Sequence, residues 1–292
     1  MKLQLPSRGL EEVERVARSV LIEAGALLRA RLGTPLSVSG KSAFDFVTDA
    51  DRESEALIVD SIRRSFPDHR VVSEEGLGIE SDPDAEVTWV VDPLDGTTNF
   101  IHGYPFFSVS IAVRVHKETL LGFVLDPVRG ELFSARKGKG VRLNDQPVAR
   151  RWSSTLGEAL VLTGFPFRAK GLLKPYLQCF AQILLEVSDM RRSGSAALDL
   201  AYVACGRADG FWEAGLRSWD IAAGALMVTE AGGLVSDFWG ANHYLRNGHV
   251  VAGSPLVHPF LLAQVGAHLA QAVGPPGGMS PPGDSMDGPM GC

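Results

Sequence analysis

Residues 89–99 read Trp-Val-Val-Asp-Pro-Leu-Asp-Gly-Thr-Thr-Asn. The apolar run that opens this stretch is typical of a β-strand, and it delivers Asp92 at the C-terminal end of that strand. Pro93 then fixes the backbone, so that Asp95 turns back toward Asp92 and the two carboxylates converge. Taken alone, an Asp-x-x-Asp-Gly pattern also fits an ordinary exit from a strand into a turn, and that alternative stays open for these residues.

The residues that follow Asp95 suit an anionic ligand. Gly96 admits a close approach of the main chain, and a helix or turn can begin directly after it. Thr97, Thr98 and Asn99 offer backbone N–H groups and polar side chains. Such a group of amides can hold a phosphate, because the donors point at a common centre.

Helices are predicted before this stretch, and strands are predicted around it. Apolar residues at helical spacing from Leu10 to Leu28 predict one amphipathic helix. A second helix is predicted to begin at Thr48, whose Thr-x-x-Asp spacing to Asp51 resembles a capping box, and to stop at Pro67. Short β-branched or aromatic runs then predict a sheet from residues 71–72, 88–91, 107–115, 120–125 and 131–134.

The chain changes character at residue 152, where extended and helical segments begin to alternate, which favours a second unit of α/β type. We therefore divide it into an N-terminal α+β unit (1–150), a C-terminal α/β unit (151–273) and a tail (274–292). The tail holds five Pro and six Gly among its 19 residues. Because it offers almost nothing to bury, we expect it to be disordered.

The composition is that of an ordinary globular protein. Among 292 residues, 34 acidic and 28 basic side chains give a net charge of −6, and 45% of the residues are hydrophobic. The length corresponds to about two structural units and excludes a small scaffold stapled by disulfides. The lack of a concentrated basic run argues against a dedicated nucleic-acid-binding protein.

The cysteines and the N-terminal residues bear on the cellular compartment. Three cysteines without CxxC spacing suggest neither a disulfide framework nor a zinc site. Charged residues interrupt the N-terminal segment where a secretion signal needs an apolar run, and no stretch has the length and hydrophobicity of a membrane span. We expect a soluble, cytoplasmic protein that does not associate with membranes.

Residues 92–99 resemble the signature of the inositol monophosphatase family of metal-dependent phosphatases. Three further segments are similar to motifs of that family in the same order, namely residues 45–51, 72–76 and 219–233. Ser73 departs from the pattern, since many members have Gly there. The resemblance covers nearly all of the chain except the tail, and it implies a layered α-β-α-β-α sandwich of the sugar-phosphatase fold.

The resemblance also implies a set of Mg²⁺ ligands. One ion would be held by Glu74, Asp92 and the backbone carbonyl of Leu94, and a second by Asp92, Asp95 and Asp220. Independent physics agrees, because like charges about 4 Å apart repel by roughly 4 kcal/mol per pair at an effective dielectric constant near 20. Without cations, so many carboxylates could neither stay ionised nor bind a phosphate. Oxygen ligands favour Mg²⁺ or Mn²⁺ over zinc.

The implied reaction is direct attack of water on phosphorus, without a covalent phosphoenzyme. By resemblance, Thr97 and Asp51 form a hydrogen-bonded pair that, together with Glu74, orients this water and helps to deprotonate it. Asp51 also fits a first-turn acid stabilised by the helix dipole, and both roles can hold at once.

Substrate contacts are implied at two places. The phosphate and metal side comprises Asp95, Gly96, Thr97, Thr98 and Asp220, whereas Gly194, Ser195 and Ala196 leave room for the ring of a sugar-like alcohol. Glu213 matches a carboxylate that accepts hydrogen bonds from substrate hydroxyls, with a solvated acid at a strand end as the alternative. Lys41 could face the phosphate or a metal site, or be an exposed lysine.

Several other residues receive a structural interpretation. We interpret His102 as a loop histidine rather than a ligand, and Cys179 and Cys205 as core thiols on helices. The Lys137-Gly138-Lys139 segment is predicted to be a solvated turn.

The resemblance implies hydrolysis of a phosphate monoester of a small polyol, with myo-inositol monophosphate as the leading candidate. Related families act on fructose 1,6-bisphosphate, histidinol phosphate or 3′-phosphoadenosine 5′-phosphate. It further implies sensitivity to lithium and a homodimer. A different class of function is also open, because bacterial relatives serve as partners in transcription complexes.

Overall fold

The computed structural model describes residues 7–42, 45–78, 85–149, 151–166 and 169–274. Its helices are α1 (Ser7–Arg31), α2 (Asp49–Ser65), α3 (Thr97–Ile101), α4 (Leu173–Leu184), α5 (Ala196–Ala204), α6 (Ser218–Glu230), α7 (Tyr244–Asn247), α8 (Val257–His268) and α9 (Ala270–Val273). Its strands are β1 (Val38–Ser42), β2 (Asp45–Thr48), β3 (Arg70–Ser73), β4 (Val87–Asp95), β5 (Ser108–Val115), β6 (Glu118–Asp126), β7 (Glu131–Arg136), β8 (Val141–Leu143), β9 (Gln146–Pro147), β10 (Leu160–Thr163), β11 (Asp189–Arg191), β12 (Gly210–Glu213), β13 (Leu234–Ser236) and β14 (Val250–Gly253).

The larger sheet has seven strands in the order β3-β4-β5-β6-β7-β8-β9, and only the β3–β4 pair is parallel. Helices α1 and α2 cover one of its faces. On β4, Trp89 and Val91 pack toward these helices, whereas Val90 packs on the opposite side. The strand is therefore buried on both faces, which explains its continuous apolar run.

The smaller sheet has five strands in the order β11-β10-β12-β14-β13. Strand β10 pairs in parallel with β11 and β12, whereas β14 is antiparallel to β12 and β13. Helices α4 and α8 pack over the outer face of this sheet, around Tyr176, Trp212 and Leu261.

Helices α5 and α6 lie between the two sheets and contact both of them. Small residues allow this close packing. A Cβ atom on Gly122 of β6 would lie 2.8 Å from the carbonyl oxygen of Ala223, and a Cβ atom on Gly224 would lie 2.4 Å from the Cβ atom of Leu200. The layers follow the order α1/α2, large sheet, α5/α6, small sheet, α4/α8, which confirms the expected α-β-α-β-α sandwich.

Most predicted elements match the structure. The capping box at Thr48 and Asp51 begins α2, as its spacing indicated. The β1–β2 hairpin and α8 were not predicted from the pattern. Helix α8 contains no Asp, Glu, Lys or Arg, so its sequence lacks the alternation of charged and apolar residues that marks an amphipathic helix.

Two predictions about organisation stay predictions. The predicted tail (274–292) lies outside the described residues apart from Gly274. The boundary at residue 150 falls between the last strand of the large sheet and the first of the small one, but a single cluster of buried side chains contacts both sheets. Within the described part of the chain, no helix is long and apolar enough to cross a bilayer.

Candidate active site

A bulge at the end of β4 brings the two motif aspartates together. Asp92 pairs with Ser110 of β5 and Asp95 with Ser108, so three steps on β4 oppose two on β5. In a regular strand, side chains three positions apart would point to opposite faces. The extra residue bends the strand and places both carboxylates on one side. The Leu94 amide donates to Asp92 Oδ1 at 3.0 Å, which fixes this turn.

Helix α6 adds a third carboxylate to these two. Asp220 lies in its first turn and accepts a hydrogen bond from the Arg217 amide at 2.7 Å. Ligand atoms of Asp92, Asp95 and Asp220 all lie within 4.8 Å of one another, and all three residues are buried. Asp92 Oδ2 has no hydrogen-bond partner among the described residues. An orphaned carboxylate oxygen beside two others, with no His or Cys in the cluster, fits a hard divalent cation.

Burial and mutual repulsion disfavour the charged forms of these acids. Burial first, and then the charges of Glu74, Asp95 and Asp220, raise the pKa of Asp92 well above its usual range. Burial also raises the pKa of Asp95 to about 6, although hydrogen bonds from Ser195 and Ala197 oppose it. A bound cation would relieve this repulsion.

Glu74 follows β3 and lines the same cavity. Lys41 Nζ, on β1, lies 2.9 Å from Glu74 Oε1 and also contacts Glu75. Although burial opposes the charge of the ammonium, the two carboxylates raise the pKa of Lys41. Burial raises the pKa of Glu75 to about 7. Lys41 is therefore a partner of the acidic site, although the residue is exposed.

Asp51 is hydrogen-bonded to Thr97 and also lies in the first turn of α2, as the sequence predicted. Thr97 Oγ1 donates to its Oδ1 at 3.0 Å, and the Thr48 amide donates to its Oδ2 at 2.8 Å. Burial raises the pKa of Asp51, although the hydrogen bonds from Thr48 and Thr97 oppose this. The same carboxylate thus caps α2 and orients the Thr97 hydroxyl.

Sequence analysis did not identify Glu55 as part of the site. It lies one helical turn after Asp51, is buried, and accepts a hydrogen bond from the Leu77 amide at 3.2 Å. Ser73 and the Glu75 amide also donate to it. Glu55 thereby supports the turn that carries Glu74. An acidic residue four positions after Asp51, on the same helix face, was the available signal.

Residues of the C-terminal half close the site from the other side. The Ala197 amide donates to Asp95 Oδ2 at 2.8 Å, and the Ser195 hydroxyl donates to the same oxygen. Asn99 Nδ2 donates to the carbonyl oxygen of Ser193 at 2.9 Å. Gly96, with φ of 97°, approaches the Gly194 carbonyl so closely that a Cβ atom would lie 3.1 Å from it.

These elements surround one cavity. It is lined by Asp45, Phe46, Glu74, Asp92, Leu94, Asp95, Gly96, Thr97, Thr98, Gly164, Arg192, Gly194, Ala196, Glu213, Leu216 and Asp220. The predicted metal ligands and most of the predicted substrate contacts therefore meet in a single place. Ser195 is the exception, because it is buried beneath the cavity and its hydroxyl is bonded to Asp95.

Glu213 ends β12 and lines the same cavity as the acidic cluster. It is 8% exposed, so the alternative of a solvated acid is wrong. A Cβ atom on Gly164 would lie 2.0 Å from the Glu213 carboxylate, so a larger residue at position 164 would displace this carboxylate from its present position. Burial first, and then the charges of Asp199 and Asp220, raise the pKa of Glu213 well above its usual range, with Arg192 opposing.

The remaining sequence interpretations can be placed as well. His102 is exposed at the end of α3, and Cys179 and Cys205 are free thiols that are buried and half-buried respectively. Residues 137–140 form the predicted turn. Its amides are not simply solvated, because those of Gly138, Lys139 and Gly140 donate to the Glu230 carboxylate at 2.8, 3.1 and 2.9 Å.

Known proteins share this architecture. The profile of the inositol monophosphatase family matches residues 9–271. The chain is 47% identical to the Nus factor SuhB of Escherichia coli K12, covering 86% of this chain and 94% of the relative. Its structure is similar to that of the extragenic suppressor protein suhB from Bartonella henselae, with a TM-score of 0.83 and 39% identity over 87% of this chain and 98% of that one. It is also similar to the inositol monophosphatase from Anabaena, with a TM-score of 0.78 and 34% identity over 89% and 97% of the two chains.

Proposed function

Because the chain belongs to the inositol monophosphatase family, we propose that it is a Mg²⁺-dependent enzyme that hydrolyses phosphate monoesters. One observation carries the proposal. Three buried carboxylates, from Asp92, Asp95 and Asp220, bring ligand atoms within 4.8 Å of one another at a cavity, and one of their oxygens has no partner among the described residues.

The proposed ligands follow the family pattern. Glu74, Asp92 and the Leu94 carbonyl would hold one ion, and Asp92, Asp95 and Asp220 a second. When bound, Mg²⁺ lowers the pKa of a water molecule and stabilises negative charge on the leaving oxygen. Because these side chains are already held by backbone amides and by Ser195, the fold would position them before the ion binds.

Thr97 and Asp51 would act on the attacking water. The Thr97 hydroxyl donates a hydrogen bond to Asp51 Oδ1, so the lone pairs of its oxygen can accept a hydrogen bond from water. Asp51 would then stabilise the proton that Thr97 relays, while Glu74 orients the water from the other side. Gly96 and Thr98, which also line the cavity, would bind the phosphate oxygens.

The cavity-lining residues outside the acidic cluster favour a small polyol as the alcohol. Glu213 offers carboxylate oxygens to ring hydroxyls, and Gly194 and Ala196 present little side-chain bulk. The Anabaena relative is named an inositol monophosphatase. We therefore take myo-inositol monophosphate as the leading substrate, ahead of other sugar, nucleotide or histidinol phosphates.

Purified protein should be tested against a panel of phosphate monoesters with Mg²⁺ and with excess EDTA. We expect turnover that requires Mg²⁺, that is fastest with inositol monophosphate, and that is inhibited by Li⁺, which is close to Mg²⁺ in size but carries half its charge. Turnover that persists in EDTA would contradict the metal assignment. Equal rates on every ester would contradict the polyol assignment.

A second function, as a partner in a transcription complex, is favoured by the name Nus factor of the Escherichia coli relative. A pull-down from extract with wild-type protein and with Asp95→Asn tests it, because a scaffold role should survive loss of the metal site. Recovery of the same transcription proteins by both forms is expected from such a role.

We also propose that the protein is a cytoplasmic homodimer. Analytical ultracentrifugation of the purified protein tests the dimer.

A further inference from the structure

Two carboxylates that line the cavity are joined by one short segment. Glu213, the proposed polyol contact, ends β12, and Asp220, the proposed metal ligand, lies in the first turn of α6. Residues 214–217 connect them, and we call this segment the 214–217 loop. Leu216 within it lines the cavity. The position of the loop therefore affects both functional carboxylates.

Gly248 and His249 hold the 214–217 loop by two hydrogen bonds. The Leu216 amide donates to the carbonyl oxygen of Gly248 at 2.9 Å, and the Gly215 amide donates to Nδ1 of His249 at 3.3 Å. Gly248 has φ of 70°, and a Cβ atom there would lie 2.1 Å from the carbonyl oxygen of Leu216. Only glycine allows the backbones to approach this closely.

The imidazole of His249 is itself fixed in place. It stacks on Phe238, with ring centroids 5.0 Å apart, and it meets Trp239 edge-on at 5.9 Å. The backbone amide of His249 donates to Asn247 Oδ1 at 3.0 Å. Burial lowers the pKa of His249 to about 4, although the charge of Asp237 opposes this shift. The ring is therefore neutral at neutral pH, and Nδ1 can accept a hydrogen bond from the Gly215 amide.

We infer that Gly248 and His249 are positioning residues that set the relative placement of Glu213 and Asp220 through the 214–217 loop. The inference rests on the proposed phosphatase function, because the polyol and metal contacts are assigned there. His249 is not among the residues that line the cavity. Its contribution is an acceptor at a fixed point, which keeps the Gly215 amide, and with it the loop, in one position.

Substitutions at position 249 test the hydrogen-bond acceptor and the aromatic ring of His249 separately. In His249→Asn, the side-chain Oδ1 lies near the position of Nδ1 and can accept from the Gly215 amide. His249→Phe retains the stacking on Phe238 but has no acceptor. His249→Gln retains an amide group but moves it one methylene further out, and it serves as a second test should the Phe variant fail to fold. His243→Phe, an exposed histidine in the same segment, is the matched control.

The full-length variants should be measured in two ways: titration calorimetry with Mg²⁺ alone, and KM and kcat for inositol monophosphate and for p-nitrophenyl phosphate. We expect His249→Phe and His249→Gln to weaken Mg²⁺ binding by about threefold or more and to raise KM for inositol monophosphate more than for p-nitrophenyl phosphate. His249→Asn should restore both to within about twofold of wild type, and His243→Phe should change neither.

Equal behaviour of the Asn and Phe variants would overturn the inference, because restoring the hydrogen-bond acceptor would then make no difference. Wild-type values in all three variants would also overturn it. A protein that hydrolyses no phosphate monoester, but whose Mg²⁺ affinity still falls in the Phe variant and recovers in the Asn variant, would refute the proposed function and leave the positioning role intact.

Discussion

Single carboxylates carry most of the proposed chemistry, and Asp220 offers the clearest test of it. We expect Asp220→Asn to lower Mg²⁺-dependent turnover by about two orders of magnitude or more, because a neutral amide is a weaker ligand for a hard cation. The far-ultraviolet circular dichroism spectrum should not change. Asp60→Asn, on an exposed position of α2, is the control for the loss of a negative charge. Near-normal turnover by Asp220→Asn would remove this residue from the metal site.

Glu213 allows a prediction about pH. Since burial raises its pKa, Glu213 is protonated at low pH and becomes a charged, stronger acceptor for substrate hydroxyls as the pH rises through that pKa. The ratio of kcat/KM for inositol monophosphate to that for p-nitrophenyl phosphate should therefore rise with pH in the wild type. In Glu213→Gln the ratio should be flat and lower, by about tenfold at the high-pH end. Parallel pH profiles for the two proteins would exclude Glu213 as a contact to the polyol.

Helix packing makes a prediction at the scale of elements. A Cβ atom on Gly224 of α6 would lie 2.4 Å from the Leu200 side chain of α5, whereas a Cβ atom on Gly266 of α8 meets nothing within 4 Å. Gly224→Ala should therefore lower the free energy of unfolding by about 1–3 kcal/mol through overpacking. Gly266→Ala should raise it by up to about 1 kcal/mol, since alanine favours a helix. Urea denaturation of both variants checks the signs, and stabilisation by Gly224→Ala would show that α5 can move away.

The elements also show what the sequence could and could not predict. Strand β4 and the cap of α2 depend on neighbouring residues, so local patterns predicted that Asp92 and Asp95 converge and that Asp51 lies in the first turn of α2. Sequence analysis missed Glu55 and left Lys41 undecided between a role at the site and an exposed position. Their partners come from β3 and the turn after it, and only the packed fold brings them together. The fold class and metal ligands followed from the resemblance of four motifs rather than from periodicity.

At the scale of the whole molecule, the tail is the largest segment to which we assign no function. Its Pro- and Gly-rich composition offers no apolar face that could dock on the sandwich. A chain that ends at Val273 should therefore melt at the same temperature and turn over substrate at the same rate as the full chain. Differential scanning calorimetry and the phosphatase assay check this, and a lower melting temperature would show that the tail packs on the body or on another subunit.

Helix α6 connects the acidic cluster to a turn at the protein surface. Its N-terminal end carries Asp220, and the carboxylate of Glu230 at its C-terminal end accepts hydrogen bonds from three amides of the turn at residues 137–140. At 1.5 Å per residue, 13 residues span about 20 Å, so a surface turn is rigidly connected to the centre of the molecule. Exposed hairpin turns usually tolerate inserted peptides, tags and protease sites. The turn at residues 137–140 is a poor site for such insertions. Lengthening it would break its hydrogen bonds to Glu230 and release the C-terminal end of the helix that positions Asp220.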